Sequence, residues 1–160
     1  MKIFLLLILL TNIAHADIQT AFSPSQDGTK LIIQTIQEAR ESIEVAAYSF
    51  TSAPIASALV QAYNKGVDVR VVLDKSQRTA KYTSYTFLLN HDIPTRINSN
   101  YAIMHNKFMV IDGEVLQLGS FNYTKAAEYK NAENVMVIRN EPQAVRAYQL
   151  QWGKLWLESK

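Results

Sequence analysis

The 160-residue sequence contains no cysteine and only five glycines, four prolines and three histidines. Without cysteine there can be no disulfide framework, no zinc or iron–sulfur site with thiolate ligands, and no thiol nucleophile. An excess of one charge is also lacking, because 16 Lys and Arg residues stand against 14 Asp and Glu residues, for a net charge of +2. Binding of a polyanion therefore requires a local patch of positive charge.

The chain does contain enough apolar material for one packed domain. Hydrophobic residues make up 48% of the sequence and charged residues 19%, a composition typical of a globular protein and not of a disordered one. A length of 160 residues suits one domain and is too short for two of ordinary size.

The first 16 residues have the pattern of a secretory signal peptide. Lys2 precedes an unbroken apolar run at 3–10, and the segment closes with Ala-His-Ala at 14–16. This pattern predicts cleavage after residue 16, which leaves 17–160 as a single domain in the periplasm or outside the cell. The alternative is a membrane anchor, but a spanning helix needs about 20 apolar residues. We therefore expect no stable membrane insertion after cleavage.

Helical and strand patterns alternate along the rest of the chain. Apolar residues at helical spacing predict helices, and short runs rich in β-branched residues predict strands. An Asp-Gly pair at 112–113 predicts a hairpin. The predicted helices span 29–41, 54–65, 79–89 and 142–156, and the predicted strands span 43–50, 67–74, 94–98, 107–112, 115–118 and 134–139. This order predicts an α/β fold with a mixed, largely parallel β-sheet flanked by helices on both faces.

Two short segments bring together residue types that handle phosphate. His105 and Lys107 lie two apart where a predicted strand begins, and in extended backbone such residues face the same side. The lysine supplies a fixed cation there, and the imidazole supplies a nucleophile or a proton donor. Ser120 and Asn122 form a second same-side pair that can donate hydrogen bonds to phosphoryl oxygens. Glu133 begins a later strand, where a carboxylate can hold the far nitrogen of an imidazole.

Each of these signals has a simpler interpretation when it stands alone. A His-x-Lys pair at a strand edge is common, and Gly-Ser-x-Asn can be an ordinary turn. Asp112 precedes Gly113 and is interpreted as a structural residue of the hairpin. The joint pattern is more specific: it reads His-x-Lys-x4-Asp-x6-Gly-Ser-x-Asn from His105 to Asn122 and includes Gly119.

This joint pattern resembles the signature of the phospholipase D superfamily. Flanking segments at 71–77, 99–104, 121–124 and 131–134 are similar to the small secreted bacterial endonucleases of that superfamily. The resemblance covers essentially all of 17–160 and shows no departure at a motif position. It implies that 17–160 forms a single nuclease-like domain of this superfamily.

The resemblance also implies a reaction. Members cleave phosphodiesters without a metal or another cofactor, through a covalent phosphohistidine. By matching positions, His105 is the nucleophile or the acid, and Glu133 orients it. The residues that would grip the phosphate are Lys107, Ser120 and Asn122.

The number of histidines predicts how the protein assembles. Transfer through a covalent intermediate needs a nucleophile and a separate acid/base group on opposite sides of phosphorus. His15 leaves with the signal peptide, and His91 lacks a lysine two residues later, so it is interpreted as a histidine at a helix end. One chain then supplies half of an active site. We expect a two-fold homodimer that pairs two copies of His105.

Nucleic acid is the expected substrate. Basic residues near the predicted third helix and after the Ser120–Asn122 loop can hold flanking phosphates, and tyrosines can stack on bases. The basic residues are Lys75, Arg78, Lys81, Lys125 and Lys130, and the tyrosines are Tyr82, Tyr85, Tyr101 and Tyr123. Since the site grips phosphate and has no base-reading element, we expect an endonuclease with little sequence preference, acting on DNA, with RNA as a further candidate substrate.

Two alternatives stay open at this point. A phospholipase D-type lipid enzyme should carry an exposed apolar rim or an amphipathic helix near the site. The candidates are weak, because the segment 101–104 is short and Trp152 and Trp156 suit a core or a dimer contact. A non-catalytic module could instead bind nucleic acid through the same phosphate pocket, although the full set of His, Lys, Ser, Asn and Glu exceeds what binding requires.

Overall fold

The computed structural model describes residues 15–79 and 83–160. The strands are β1 (Asp17–Ser23), β2 (Ser42–Ala47), β3 (Asp68–Asp74), β4 (Thr95–Asn98), β5 (Lys107–Ile111), β6 (Val115–Gly119) and β7 (Glu133–Arg139). The helices are α1 (Asp27–Gln37), α2 (Ala53–Asn64), α3 (Ser84–Leu89), α4 (Lys125–Tyr129) and α5 (Pro142–Leu157), with a 3-10 helix at Lys75–Arg78. Most of the predicted signal peptide lies outside the described residues, as do Lys81 and Tyr82.

All seven strands join one mixed sheet in the order β1-β7-β6-β5-β2-β3-β4, so the expected mixed α/β fold is confirmed. The parallel share is smaller than the sequence suggested. Among the described strands, β2–β3 and β3–β4 are the parallel pairs, whereas β5 lies antiparallel beside β2 and the strands beyond it continue antiparallel. The predicted alternation of helices and strands identified the parallel part and overestimated its extent.

Helices cover both faces of the sheet, as expected. Side chains alternate along a strand, so Val45 of β2 joins the core under α1 and α2, and Ala46 joins the core under α5. Trp152 anchors α5, since its buried indole N–H donates to the carbonyl oxygen of Val45 at 2.9 Å. Each core therefore fixes the position of β2 from one side.

Three features of the fold differ from the sequence-based expectation. The predicted third helix is divided into the 3-10 helix and α3, with 80–82 outside the described residues. Strand β1 was not predicted, because Ala21 is its only buried residue and it lacks a clear apolar alternation. Helix α4 was not predicted either, because it is only five residues long. Among the described residues, none of the helices combines the length and apolar character needed to span a bilayer.

Asp112 lies at the turn of the β5–β6 hairpin and ties it to β2. Its backbone is left-handed, with φ at 54°, a conformation that Asp and Asn adopt more readily than most residues. The carboxylate accepts hydrogen bonds from the backbone N–H groups of Arg40, Glu41 and Ser42, at 2.8–3.2 Å. Asp112 thus has the structural position that the sequence indicated.

The opposite edge of the sheet collects the strand ends that matter for chemistry. The register pairs Ala47 at the end of β2 with Lys107 at the start of β5. It also pairs Gly119 at the end of β6 with Val135 near the start of β7. Since β3 runs parallel to β2, Asp74 ends at this edge too. The motif residues are therefore brought together by strand direction alone.

Candidate active site

The pair His105 and Lys107 forms the centre of this edge. The His105 imidazole is exposed, whereas Lys107 is buried. Lys107 Nζ donates to the carbonyl oxygen of His105 at 2.7 Å and lies 3.0 Å from its Nδ1 atom. An ammonium group only donates hydrogen bonds, so Nδ1 is the acceptor in this contact. In the neutral imidazole the proton then sits on Nε2.

Two opposing effects act on the pKa of Lys107, namely its burial and the nearby carboxylate of Glu133. Burial lowers the pKa of Lys107, because the charged form loses water, and the negative charge of Glu133 opposes that shift. The carboxylate of Glu133 therefore interacts electrostatically with the Lys107 ammonium. A cation fixed beside an imidazole is an arrangement suited to holding a phosphate.

Glu133 contacts other partners than the one expected. The Ser120 hydroxyl donates to its Oε2 atom at 2.6 Å, and the Asn131 side-chain amide donates to its Oε1 atom at 2.9 Å. Within the described part of a single chain, the carboxylate has no hydrogen bond to His105. The expected orientation of His105 by Glu133 is thus not made inside one chain, because Ser120 and Asn131 lie nearer along the same edge.

Ser120 joins the ends of β6 and β7. Besides donating to Glu133, its oxygen accepts the backbone N–H of Asn134 at 3.1 Å. Gly119 allows this close approach, since a Cβ at that position would collide with the backbone carbonyl oxygen of Asn134. Any other residue at Gly119 would push the serine loop away from β7.

The loop after β6 alternates between the core and the site. Phe121 and Tyr123 are buried in the core under α1 and α2, whereas Ser120 is exposed and Asn122 is half-buried. The Oδ1 atom of Asn122 is buried without a hydrogen-bond partner among the described residues. Buried polar atoms are normally paired, so Asn122 suits a position that a ligand or a second chain completes.

Tyr123 is not available to stack on a base, contrary to the sequence-based expectation. Its side chain is fully buried, and its hydroxyl donates to Gln117 Oε1 at 2.7 Å. Burial raises the pKa of Tyr123 above its usual range. Its backbone carbonyl accepts the N–H groups of Thr51 and Ser52. Tyr123 therefore anchors the loop that carries Asn122 to the segment after β2.

The other predicted binding residues lie on the surface at varied positions. Lys75 donates to the carbonyl oxygen of Tyr101 at 3.1 Å, and the Tyr101 hydroxyl donates to Glu158 at 3.0 Å. The structure thus brings Lys75 and Tyr101 together, although Tyr101 is partly packed against α5. Arg78 is exposed at the end of the 3-10 helix, and Lys125 is exposed at the start of α4.

Two residues of this edge were missed as site residues by the sequence. Tyr48 follows β2, and its ring lies 4.7 Å from the His105 ring, centroid to centroid. Asp74 ends β3 and accepts the backbone N–H of Met104 at 2.8 Å, which fixes the chain directly before His105. Burial raises the pKa of Asp74, but hydrogen bonds from Ser76 and Met104 outweigh that effect and hold it below its usual value. The signal for both was their place at the ends of parallel strands.

Two further observations concern the ionisable side chains of residues 15–79 and 83–160. No group of three or more His, Asp or Glu side chains there lies close enough to hold a metal ion. His91 lies in the turn directly after α3, with its Nδ1 atom 2.8 Å from the carbonyl oxygen of Phe87 and its ring against the Phe87 ring. This surface position fits the helix-end histidine that the sequence indicated.

Comparisons with known proteins give the family context. Residues 32–156 match a family model described as the PLD-like domain of cardiolipin synthase. The chain is 35% identical over 143 residues to a phospholipase D of Rickettsia prowazekii, covering 89% of this chain and 69% of that protein. It is 35% identical over 140 residues to a mitochondrial cardiolipin hydrolase of Danio rerio, covering 87% of this chain and 58% of that protein.

Among solved structures, the fold is similar to Nuc of Salmonella typhimurium, a phospholipase D family member. The TM-score is 0.85 at 37% identity, over 91% of this chain and 97% of Nuc. NucT of Helicobacter pylori shares the fold with a TM-score of 0.78 at 22% identity, over 89% of this chain and 98% of that one.

Proposed function

The chain belongs to the phospholipase D superfamily of phosphodiesterases, and we propose that it is a metal-independent endonuclease of DNA or RNA. The observation that carries this proposal is the convergence of His105, Lys107, Ser120 and Asn122 at one sheet edge. Likeness to Nuc over nearly the whole length of both chains supports the nuclease reading.

The proposed reaction runs through a phosphohistidine. Phosphate binding draws Lys107 away from Nδ1 of His105, so the imidazole proton moves from Nε2 to Nδ1. Nε2 of the neutral ring then attacks phosphorus and forms a P–N bond while the P–O bond to the leaving alcohol breaks. A second imidazole donates a proton to that leaving oxygen. It then accepts a proton from the water that attacks the phosphohistidine and restores His105. Lys107 holds the phosphoryl oxygens and balances their charge.

The second imidazole in this scheme comes from a second chain. Exposed apolar side chains on the edge strand β1 support this homodimer: Phe22 and Ile18 are 67% and 52% exposed. Directly opposite residues of an antiparallel pair share a face, so Phe22 lies beside Asn134 and Ile18 beside Ile138. Asn134 contacts Ser120, so a partner covering this face would sit next to the catalytic edge.

A lipid phosphodiesterase is the second candidate. It is favoured by the names of similar proteins, which include phospholipase D and mitochondrial cardiolipin hydrolase. Family membership fits either a lipid or a nucleic-acid phosphodiester. The residues around the central pair therefore have to decide between the two substrates. Exposed cations at Lys75, Arg78 and Lys125 suit the repeated phosphates of a nucleic acid.

One experiment separates the candidates. The purified protein is incubated in excess EDTA with plasmid DNA, with RNA and with a labelled phospholipid vesicle. We expect nicking of DNA or RNA that survives EDTA, and His105→Asn should abolish cleavage while DNA binding stays measurable. Cleavage of lipid alone would favour the second candidate, and binding without cleavage by the unmodified protein would favour a binding module.

Export stays a prediction of the N-terminal pattern. Strand β1 begins at Asp17, the residue directly after the predicted cleavage site. The intact mass of the protein recovered from the periplasm or the medium should correspond to 17–160. A mass that includes residues 1–16 would instead support a retained anchor.

A further inference from the structure

The aromatic ring of Tyr48 contacts both members of the central pair. Its centroid lies 4.7 Å from that of the His105 imidazole, with the planes at 50°. Lys107 Nζ lies 5.3 Å from the same centroid, within the range of a cation–π interaction. In the proposed reaction, Tyr48 neither binds the phosphate nor transfers a proton.

The main chain of Tyr48 is fixed to the same segment. Its backbone N–H donates to the carbonyl oxygen of Asn106 at 2.9 Å, so the residue between His105 and Lys107 is held to the end of β2. The ring and the backbone of Tyr48 therefore contact three consecutive residues. Such a double attachment limits how far the imidazole can turn relative to the strand.

The need for this support follows from the exposure of His105. An exposed side chain on a loop samples several rotamers. Among the residues that the structure describes, Lys107 is the one side chain within hydrogen-bond distance of the imidazole. Lys107 has to bind phosphate during the reaction, which weakens that contact. A nucleophile displaced by about 1 Å can lose about 100-fold in rate.

We propose that Tyr48 is a positioning residue whose ring holds the His105 imidazole and the Lys107 ammonium in place for attack on phosphorus. The ring face makes these contacts, so the hydroxyl is dispensable. This inference rests on the proposed cleavage through His105 and holds for any phosphodiester substrate. The ring is also partly exposed, so stacking on a nucleobase is the competing role that the test must separate.

The experiment compares Tyr48→Phe, Tyr48→Leu and Tyr48→Met on two substrates. Bis(4-nitrophenyl) phosphate has no base, whereas a DNA oligonucleotide has both bases and phosphates. We expect Tyr48→Leu and Tyr48→Met to lower kcat at least tenfold on both substrates with KM changed less than about twofold, because attack geometry is lost. Tyr48→Phe should keep kcat within about twofold. Tyr63→Leu is the matched control, since Tyr63 is also half-buried but packs on the α2 core.

Three outcomes would overturn the proposal. The first is unchanged kcat in a folded leucine or methionine variant, with folding judged by thermal unfolding. The second is a rise in KM confined to DNA, which would assign Tyr48 to base stacking. The third is an equal loss in Tyr48→Phe, which would assign the effect to the hydroxyl. If the unmodified protein cleaves neither substrate, the proposed function fails, a result distinct from all three.

Discussion

Lys107 donates a hydrogen bond to the backbone of His105 and lies 3.0 Å from the Nδ1 atom of its imidazole. The cation that should hold a phosphate is thus engaged with the residue that should attack it. A phosphate that binds Lys107 has to compete with these contacts. The free chain therefore holds its central pair in a resting arrangement, and substrate binding must rearrange it.

The first prediction concerns the position of the imidazole proton. Because Lys107 donates to Nδ1, the neutral ring of His105 should carry its proton on Nε2 in the free protein. Nitrogen chemical shifts of selectively labelled histidine should report this tautomer, and Lys107→Met should shift the population toward the other one. A mixture of tautomers that is unchanged by Lys107→Met would contradict the prediction. His91 provides an internal reference, because its neighbours do not include Lys107.

The second prediction concerns the alkaline side of the pH profile. Burial lowers the pKa of Lys107 and the charge of Glu133 partly restores it, so the cation is lost at a lower pH than in an ordinary lysine. Activity should therefore decline at a pH below the usual range of lysine titration, and this decline forms the alkaline limb of the pH profile. Removing the negative charge in Glu133→Gln should move this limb to still lower pH.

The control for this pH shift is Glu114→Gln. Glu114 is exposed at the hairpin turn, at the far edge of the sheet, so its loss changes the net charge equally and should leave the limb in place. The same reasoning gives a stability effect: the unfolded chain holds its proton to a higher pH than the folded chain. Stability should rise as the pH increases between the two pKa values of Lys107. A limb that moves upward in Glu133→Gln would contradict this account.

The third prediction separates the motif aspartate from catalysis. Asp112→Ala removes the acceptor for three backbone N–H groups and should lower the free energy of unfolding by about 1–3 kcal/mol. Asp112→Asn should cost less, because it keeps one oxygen acceptor and tolerates the left-handed backbone. Denaturant unfolding measures both effects, and kcat of the folded protein should stay within about twofold. A loss of kcat at unchanged stability would instead place Asp112 in the reaction.

The fourth prediction tests the open face of β1 as the dimer contact. Phe22→Asp should shift the protein toward monomer in sedimentation analysis and lower activity at least tenfold, because each monomer has one nucleophile. Activity should recover as the protein concentration increases. Leu150→Asp is the matched control, since Leu150 on α5 is also 67% exposed. Dissociation in the control but not in Phe22→Asp would place the interface on α5.

The prediction of the central residues rests on the joint motif, whose spacing agrees with the strand geometry. Lys107 begins β5 and His105 precedes it by two residues, and Ser120 and Asn122 are two apart after β6. The intervening Phe121 supports this alternation by entering the core. Local alternation therefore agrees with the expected facing of these side chains, whereas the joint motif and its resemblance to a family singled them out.

Tertiary contacts decided the parts that the sequence did not predict. Tyr123 has an aromatic ring that could stack on a base. However, alternate residues of its loop point into the core, and Tyr123 is one of them. Glu133 was assigned to His105, whereas Ser120 and Asn131 hold both of its oxygens in one chain. Strand β1 has few buried residues and depends on pairing with β7, which no local pattern reveals.

The β5–β6 hairpin explains the number of residues between the motif positions. The register pairs Phe108 with Leu118 and Ile111 with Val115, so its continuation sets Lys107 level with Gly119. The spacer lengths on either side of Asp112 therefore measure the two arms of one hairpin. One residue inserted into a single arm would displace the serine loop by about 3.3 Å along the strand. Two residues added to each arm would keep the loop level with Lys107, although the turn would then move beyond the reach of Arg40.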